Sequence, residues 1–347
     1  MKNDASSCFK IINQTMVKEG NKLNVTLLCE MAGVSRSGYY AWIKAEGSRK
    51  VREEKDRVDF ELILNAYNKR NYTKGARGVY MTLLHTKKEP IIMNIKKIRR
   101  LMKKYKLFCP IRKANPYRRM QKAIKTNNYV DNLLQREFES YGPRMVLLTD
   151  ITYIPYNGVF AYLSTVIDAF TKQILSYVVS SSLEVEFVKE TINILVRDHG
   201  VSLQAETLIH SDQGCHYTSH AFIEIVESND LRRSMSRRGN CWDNAPQESF
   251  FGHMKDHIMD KIKGCREYGE VKFVVDDYID YYNKERYQWN LAKLSPNEYY
   301  QFITTGKYPI LILNPPFVPL IKKCPEELGV KEKVKDVINQ KITSKSC

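Results

Sequence analysis

The chain has 347 residues, of which 43% are hydrophobic and 11% aromatic, a composition that predicts folded domains and excludes global disorder. Its net charge of +16 is unevenly distributed: residues 1–128 carry 30 Lys and Arg against 10 Asp and Glu, and the rest carry 25 against 29. A positive field confined to one segment indicates a polyanionic partner, usually the phosphate backbone of a nucleic acid, with a merely basic surface as the alternative.

The eight cysteines are scattered without a Cys-x-x-Cys pair. This pattern argues against a disulfide framework or a zinc module and favours free thiols in a reducing compartment. Residues 1–20 lack the pattern of a secretory signal, and no run of 18 apolar residues predicts a membrane-spanning helix. We therefore expect a soluble, cytoplasmic protein with no membrane partner.

Residues 1–48 contain a pattern typical of a helix-turn-helix, located in residues 23–42. An apolar helix is predicted to end at Gly33, which permits a tight turn, and a second helix opens after it. Arg36 and Ser37 would start this recognition helix and reach the major groove of DNA. An ordinary helical hairpin is the alternative, and the basic context favours DNA.

Residues 49–128 form a basic region that we interpret as helical and DNA-binding. Helices are predicted over residues 49–68, over Val79–His85 and after Asn94, which can cap the third. One face of the third helix carries seven cations without an acid: Lys96, Lys97, Arg99, Arg100, Lys103, Lys104 and Lys106. We predict phosphate contacts here, although such a face is often only solvated. Residues 109–128 are interpreted as a basic linker.

The pattern changes at about residue 140, and a domain is predicted from there to residue 265. Two apolar runs, Met145–Tyr156 and Val159–Asp168, are joined at Asn157-Gly158, a strong hairpin signal. The remaining predicted elements are strands over Gln173–Val179, Thr207–Ser211 and Leu231–Met235 and helices over Glu184–His199 and Ser219–Asn229. This order predicts an α+β domain with a mixed sheet and flanking helices. Helices follow in residues 266–305, and residues 306–347 form a tail of unassigned role.

Three acids, Asp150, Asp212 and Glu248, are the candidate catalytic residues. Asp150 falls in mid-strand on an apolar face, where a carboxylate is costly unless a positive charge neutralises it. Glu248 lies one turn into a helix, with Lys255 on the same face seven residues later. Clustered acids raise one another's pKa unless Mg²⁺ or Mn²⁺ bridges them, and two such ions support in-line displacement at phosphorus. We therefore predict a two-metal site that cuts and rejoins DNA.

Each acid alone also has an ordinary explanation, as a strand-end cap, a turn residue or a first-turn helix acid. The joint occurrence of the three in this order and spacing favours the catalytic interpretation. Asp168, at a strand end, is interpreted as a turn residue rather than a metal ligand.

Neighbouring residues are assigned supporting roles. His210 is predicted to hydrogen-bond beside Asp212, and Asp243 to order the loop before the helix of Glu248. Asn244 is expected to cap that helix, with Gln247 completing a capping box. Four arginines flank this loop and are predicted to hold DNA, with plain surface charge as the alternative: Arg232, Arg233, Arg237 and Arg238.

These motifs resemble those of bacterial insertion-sequence transposases with a retroviral-integrase-like, ribonuclease-H-fold core. Within that superfamily the chain resembles the second reading-frame product of insertion-sequence family three. The matching segments are Thr149–Ile154, His210–Gly214 with Tyr217, Ser234–Arg237, Asp243–Ala245 with Glu248 and Lys255, Tyr278–Asn283 with Arg286, and Leu294–Pro296. The resemblance covers about residues 23–300.

The resemblance implies 3′-end cleavage at the terminal inverted repeats of an element, followed by strand transfer to target DNA, with Mg²⁺ and oligomeric assembly. It also implies that Asp150, Asp212 and Glu248 are the catalytic acids and that Lys255 contacts DNA near the cut. In this family the active enzyme is usually a frameshift fusion with an upstream product. We therefore expect that the chain alone binds element ends poorly or needs that partner.

Two other functions stay open. A DNA-binding regulator or accessory subunit would keep the fold without turnover, but its acids would be free to change, and all three acids and Lys255 are present. A ribonuclease-H-type nuclease would hydrolyse DNA without joining it, and the basic N-terminal third argues instead for work on bound DNA sites. The predicted location is the bacterial cytoplasm, at the nucleoid.

Overall fold

The computed structural model of the chain describes residues 5–86, 89–110, 141–203, 207–212, 214–235, 245–311 and 316. The chain forms two compact units. The first combines residues up to 65 with residues 96–107, and the second combines residues 66–95 with those from 108 onward. The predicted linker, apart from residues 109 and 110, and most of the predicted tail lie outside the described residues.

The helices in these residues are α1 Ala5–Met16, α2 Val25–Ala32, α3 Arg36–Lys44, α4 Glu46–Asn68, α5 Ala76–Leu84, α6 Ile95–Lys104, α7 Val185–His199, α8 Cys215–Thr218, α9 His220–Glu227, α10 Ala245–Ile262, α11 Tyr268–Lys284 and α12 Pro296–Thr305. The strands are β1 Val146–Tyr156, β2 Val159–Asp168, β3 Ile174–Ser180, β4 Leu208–Ser211 and β5 Arg232–Met235. All five predicted strands lie within one residue of these bounds. In the described segments, no helix is both long and apolar enough to cross a membrane.

Helices α2 and α3 occupy the segment in which the helix-turn-helix was predicted. The Asn24 side chain caps α2 by accepting from the Leu27 amide at 2.9 Å, and Ser35 caps α3. Gly33 ends α2 with a φ of 64°, a left-handed conformation that glycine adopts without steric cost. Helix α1, which the sequence analysis did not predict, adds to the small apolar core of Ile12, Leu28, Cys29 and Tyr39.

The sheet has the strand order β3-β2-β1-β4-β5. The β3–β2 and β2–β1 pairs are antiparallel, whereas the β1–β4 and β4–β5 pairs are parallel. The β1–β2 hairpin turns at Asn157 and Gly158, whose φ angles of 41° and 77° are those that a tight hairpin turn requires. The predicted mixed sheet is thus confirmed, with β1 at its centre.

Alternate residues of β1 face two different helical layers. Leu147 belongs to an apolar cluster that includes residues of α7 and α9. Val146, Leu148 and Ile154 belong to a second cluster, built with α10 and α11 on the opposite face. Because successive strand side chains point to opposite faces, Asp150 lies on the face covered by α10.

Asp168 closes the end of β2 as a fully buried turn residue. Its Oδ2 atom accepts from the Thr171 hydroxyl at 2.7 Å and lies 3.2 Å from the Arg144 guanidinium. Its Oδ1 atom accepts from the Phe170 amide at 3.0 Å. These contacts agree with the interpretation of Asp168 as a structural acid, and they place its charge in a buried ion pair.

We expect the substitution Asp168→Asn to destabilise the second unit by about 3–5 kcal/mol, because it leaves the buried Arg144 charge without its partner. Urea denaturation followed by circular dichroism measures this effect. The matched control is Asp198→Asn, which removes an exposed acid paired with its neighbour Arg197 and should leave the midpoint unchanged. Equal midpoints for the two variants would show that the buried pair contributes no stability.

Residues between α4 and α6 pack against α11. Arg70 pairs with Asp277 at 2.8 Å and with Glu285 at 3.0 Å. The Tyr72 hydroxyl donates to Asp277 at 2.6 Å, and its ring stacks on Tyr281 with centroids 4.2 Å apart. The basic region 49–128 is therefore shared between two units, since residues 66–95 belong to the unit that carries the sheet.

Candidate active site

Two of the three predicted acids are brought together by the parallel pairing of β1 with β4. Leu148 of β1 lies opposite His210 of β4, and Asp150 and Asp212 each follow two residues later. Parallel strands advance in the same direction, so equal offsets place the two carboxylates at neighbouring positions. Asp150 is half-buried and Asp212 is exposed, so the pair lies at the edge of the core with one side open to solvent.

Helix α10 brings Glu248 and Lys255 to the same site. Burial, together with the nearby carboxylates of Asp212 and Glu248, raises the pKa of Asp150 to about 7, while the Lys255 ammonium acts to lower it. Burial lowers the pKa of Lys255, and the Asp150 carboxylate partly offsets this effect. Because such interactions weaken with distance, these shifts indicate that the four groups share one cluster.

Backbone amides orient two of the acids. The Ile151 amide donates to Oδ1 of Asp150 at 2.8 Å, and the Gly214 amide donates to Oδ1 of Asp212 at 2.8 Å. A Cβ atom at Gly214 would lie 2.8 Å from that same oxygen. Any side chain at position 214 would therefore push the Asp212 carboxylate away from its present position.

Tyr217 lies under the acids as a buried neutral group. Its hydroxyl is 3.4 Å from Oγ1 of Thr149. Burial raises the pKa of the Tyr217 phenol well above its usual range, and the charges of Asp150 and Asp212 act in the same direction. The phenol therefore stays protonated beneath the carboxylates. No role for Tyr217 was predicted from the sequence, although its place in the family motif was a signal.

Gln247 has a long-range contact in addition to the capping box predicted for it, and that prediction stays untested because Asn244 lies outside the described residues. The fully buried Gln247 amide donates to the hydroxyl of Thr165 and lies 3.4 Å from the Thr165 carbonyl oxygen. Thr165 is the cross-strand partner of Asp150. The bond therefore fixes the first turn of α10, and with it Glu248, beside Asp150.

We expect Gln247→Met to reduce strand transfer by about 10- to 100-fold, because a buried hydrogen bond worth about 1–3 kcal/mol that positions Glu248 is lost. Thr165→Val should have a similar effect, and the double variant should be little worse than either single variant. Thr165→Ser, which retains the hydroxyl, should behave like the wild type. Fully additive losses in the double variant would contradict this positioning role.

His210 is buried in β4 and hydrogen-bonds to a neighbouring strand. Its Nδ1 atom is 3.0 Å from the hydroxyl of Ser234 in β5. Burial lowers the pKa of His210 to about 4, so the imidazole is neutral near pH 7. The predicted hydrogen bond beside Asp212 stays a prediction, because the contact that the structure gives for His210 is with Ser234.

The predicted DNA-binding residues of the first unit are in the described part of the chain. Arg36 and Ser37 are exposed on the first turn of α3. Lys106 follows the end of α6, and the other six predicted cations lie within that helix: Lys96, Lys97, Arg99, Arg100, Lys103 and Lys104. Of these, Lys97 pairs with Asp59 and Arg100 pairs with Asp56 on α4, so both already have acidic partners within the chain.

Four predicted site residues, Arg237, Arg238, Asp243 and Asn244, lie outside the described residues. The other two arginines of the same prediction lie in β5, and Arg233 is 3.8 Å from the Glu227 carboxylate. The roles of all these residues in DNA binding or loop ordering stay predictions.

The donor chemistry of the acid cluster fits a divalent cation. Carboxylate oxygens are the preferred ligands of Mg²⁺ and Mn²⁺. The pKa of Asp150 is raised by burial and by the two neighbouring carboxylates despite the nearby Lys255 ammonium, so a bound cation would stabilise its charged form. Within the described residues, no three acidic, histidine or cysteine side chains lie close enough to hold one ion together. Joint ligation would thus require the three acids to draw closer than they are in this structure.

Three family models match consecutive stretches of the chain. A model described as an HTH-like domain matches residues 53–115, and two models described as integrase core domains match residues 140–241 and 248–302. The first integrase-core match contains Asp150 and Asp212, and the second begins at Glu248. The HTH-like match lies downstream of residues 23–42, where the sequence analysis placed its helix-turn-helix.

Known relatives match over most of their own length. The chain is 30% identical to the insertion element IS600 31 kDa protein of Shigella sonnei, covering 78% of this chain and 96% of the relative. It is 31% identical to the putative transposase InsK of IS150 from Escherichia coli, covering 78% and 92%. It is 29% identical to a putative transposase of IS986/IS6110 from Mycobacterium tuberculosis, covering 74% and 91%.

The chain therefore belongs to the insertion-sequence transposases with an integrase core. It is a DNA transposase, a polynucleotidyl transferase of ribonuclease-H-like fold, and the family proposed from the sequence motifs is confirmed.

Solved retroviral integrase cores show a more distant likeness in fold. The catalytic core domain of BIV integrase aligns with a TM-score of 0.38 at 16% identity, covering 48% of this chain and 99% of that one. The HTLV-2 integrase catalytic core domain, solved in complex with magnesium, aligns with a TM-score of 0.37 at 15% identity, covering 46% and 99%.

Proposed function

We propose that this transposase cleaves the 3′ ends of its insertion element and joins them to target DNA at the cluster of Asp150, Asp212 and Glu248. The observation that carries the proposal is the convergence of three elements on one position: the parallel register of β1 with β4 brings Asp150 and Asp212 side by side, and the bond from Gln247 to Thr165 holds the first turn of α10 beside them. Burial and the other two carboxylates raise the pKa of Asp150 to about 7, in agreement with this arrangement. Three acids gathered around a half-buried position are unfavourable by themselves, and they become favourable as ligands of divalent cations. We propose two Mg²⁺ or Mn²⁺ ions as the cofactors.

Each residue of the cluster has a separate task in this reaction. Asp150 is held on the central strand, Asp212 on its parallel neighbour, and Glu248 on the helix fixed by Gln247, so three elements define one position for the scissile phosphate. When bound, two divalent cations supply activation of the attacking oxygen and stabilisation of the leaving oxygen. Lys255, on the same helix as Glu248, can contact a DNA phosphate beside the cut.

The proposed partners follow from the family and from the charge of the chain. We propose that the substrate is double-stranded DNA, both the terminal inverted repeats of the element and the target. A homo-oligomer would hold two element ends together, and an upstream reading-frame product would act as fusion or partner. The proposed place of action is the cytoplasm, at the nucleoid.

Strand cleavage and joining on a labelled duplex that carries the end of the element tests this function. With Mg²⁺, the wild-type chain should yield a shortened strand and then a longer joined product, either alone or only with the upstream product added. Cleavage without joined product would identify a nuclease. Binding without cleavage under both conditions would identify a regulator.

A further inference from the structure

Six of the seven predicted cations on and just after α6 form two sets that face in different directions. In the first set, Lys97 pairs with Asp59, Arg100 with Asp56, and Lys104 with both Glu53 and Asp56. Along α6 the paired cations run from residue 97 to residue 104, while their partners on α4 run from residue 59 back to residue 53. The two helices therefore run antiparallel, with a ladder of ion pairs between them. We call Lys97, Arg100 and Lys104 the tied set.

The tied set holds α4 and α6 together through these ion pairs. Arg100 contacts Asp56 through two bonds of 2.6 and 2.7 Å, a paired geometry that is stronger than a single contact. The Asp56 side chain is only 6% exposed, and the Arg100 guanidinium holds the pKa of this carboxyl well below its usual range. A cation that leaves this ladder for a DNA phosphate would leave Asp56 with less compensation for its burial.

The second set, Arg99, Lys103 and Lys106, is exposed. We call it the open set, because its members form no ion pair with any residue that the structure describes. Arg99 and Lys103 are four residues apart and therefore lie on one helix face. Lys106 follows the end of α6 in a left-handed conformation, with a φ of 55°. Lys96 makes a contact of its own and belongs to neither set.

From these contacts we propose that the open set, and not the tied set, binds the phosphate backbone of double-stranded DNA. The proposal rests on the proposed function, which makes DNA the substrate. Arg99 and Lys103 are separated by about 6 Å along the helix axis, which corresponds to about two phosphate steps of one DNA strand. The open set carries three positive charges on and just after α6, and α6 has no acid to compete for them.

A pair of charge-matched variants tests this division. The open-set variant carries Arg99→Gln, Lys103→Gln and Lys106→Gln. The tied-set variant carries Lys97→Gln, Arg100→Gln and Lys104→Gln. Each variant therefore loses three positive charges. A third variant removes three lysines of the second unit and controls for net charge alone: Lys263→Gln, Lys272→Gln and Lys284→Gln. The readout is the affinity of the full chain for a short fluorescein-labelled duplex, measured by anisotropy at several salt concentrations without divalent cation.

The open-set variant should lose affinity by roughly 10- to 100-fold, and its salt dependence should weaken by up to about 2.7 in the slope of log K against log salt. Its thermal midpoint should not change. The tied-set variant should keep the wild-type slope while its thermal midpoint falls by about 4 °C or more. The lysine control should match the wild type in both measurements.

Equal losses of affinity and slope in the open-set and control variants would overturn the proposal, because net charge would then explain binding. An unchanged slope in the open-set variant would overturn it as well. If the tied-set variant unfolds, the open-set and control variants still decide the question. Failure of the proposed function would appear in a different experiment, the strand-cleavage assay with Mg²⁺, as DNA that the wild-type chain binds but does not cleave.

Discussion

Glu248→Gln is expected to reduce both cleavage and joining by at least about 10³-fold, while DNA affinity stays within a factor of about two of the wild type. The amide keeps the size of the carboxylate but removes the negative charge that a divalent cation needs. Because Glu248 lies on a helix whose first turn is fixed by Gln247, the fold should tolerate the change. Strand-transfer assays on labelled element ends, with anisotropy for binding, measure both quantities.

The matched control for this experiment is Asp260→Asn, which also removes one acid from α10. Asp260 is exposed and pairs with Lys263 three residues later, far along the helix from the acid cluster. This variant should retain wild-type activity. Residual joining by Glu248→Gln at a tenth of the wild-type rate would show that Glu248 is not an essential ligand.

The second large effect is expected for Asp150→Asn, which should abolish activity and at the same time stabilise the metal-free protein. Burial and two neighbouring carboxylates disfavour the charged form of Asp150, and Asn removes that charge while its oxygen can still accept from the Ile151 amide. We expect a gain on the order of 2 kcal/mol at pH 8 in EDTA, measured by urea denaturation.

The pH dependence of this gain has a definite sign. The pKa of Asp150 is raised from 3.8 to about 7 in the folded chain, so the unfolded chain ionises first as the pH increases. The wild type therefore loses stability relative to the variant between about pH 4 and pH 7, and the difference is constant above that range. Equal free energies of unfolding for the two proteins at pH 8 would show that the charge of Asp150 does not destabilise the folded chain.

Added Mg²⁺ provides a further comparison between these two proteins. At ten times its dissociation constant, a cation that binds only the folded wild type adds about 1.4 kcal/mol, or about 2–4 °C in the thermal midpoint. Asp150→Asn should show little of this shift, and the exposed control Asp256→Asn should show all of it. A full shift in Asp150→Asn would place the cation elsewhere.

The strands and the position of the acids could be predicted from the sequence because their signals are local. Asn157-Gly158 specifies a tight turn, and the alternation along β1 places Asp150 on one face of a sheet. The proximity of Asp150 and Asp212 depends on the parallel pairing of β1 with β4, which the family motif implied and no local pattern shows. Helix α1 was missed, and its apolar residues are explained only by their packing against α2 and α3.

Two other features depend on long-range contacts and were therefore predicted incompletely. Gln247 fits a capping box by spacing, but its partner Thr165 lies 82 residues away in sequence on β2. The seven cations predicted for this helix looked equivalent in the sequence, because the acids that engage three of them are on α4. The spacing of those acids, at positions 53, 56 and 59, was a signal that the two helices would pair.

The contacts of Arg70 and Tyr72 with α11 have a consequence for any attempt to isolate the catalytic part of the enzyme. The unit that contains the sheet is discontinuous in sequence, since residues 66–95 belong to it while residues 96–107 do not. Tyr72 is 1% exposed. A fragment that starts at residue 140 would remove this tyrosine and expose the aromatic surface of α11 that it covers. A stable catalytic fragment therefore has to include residues 66–95 as well as the residues from 108 onward.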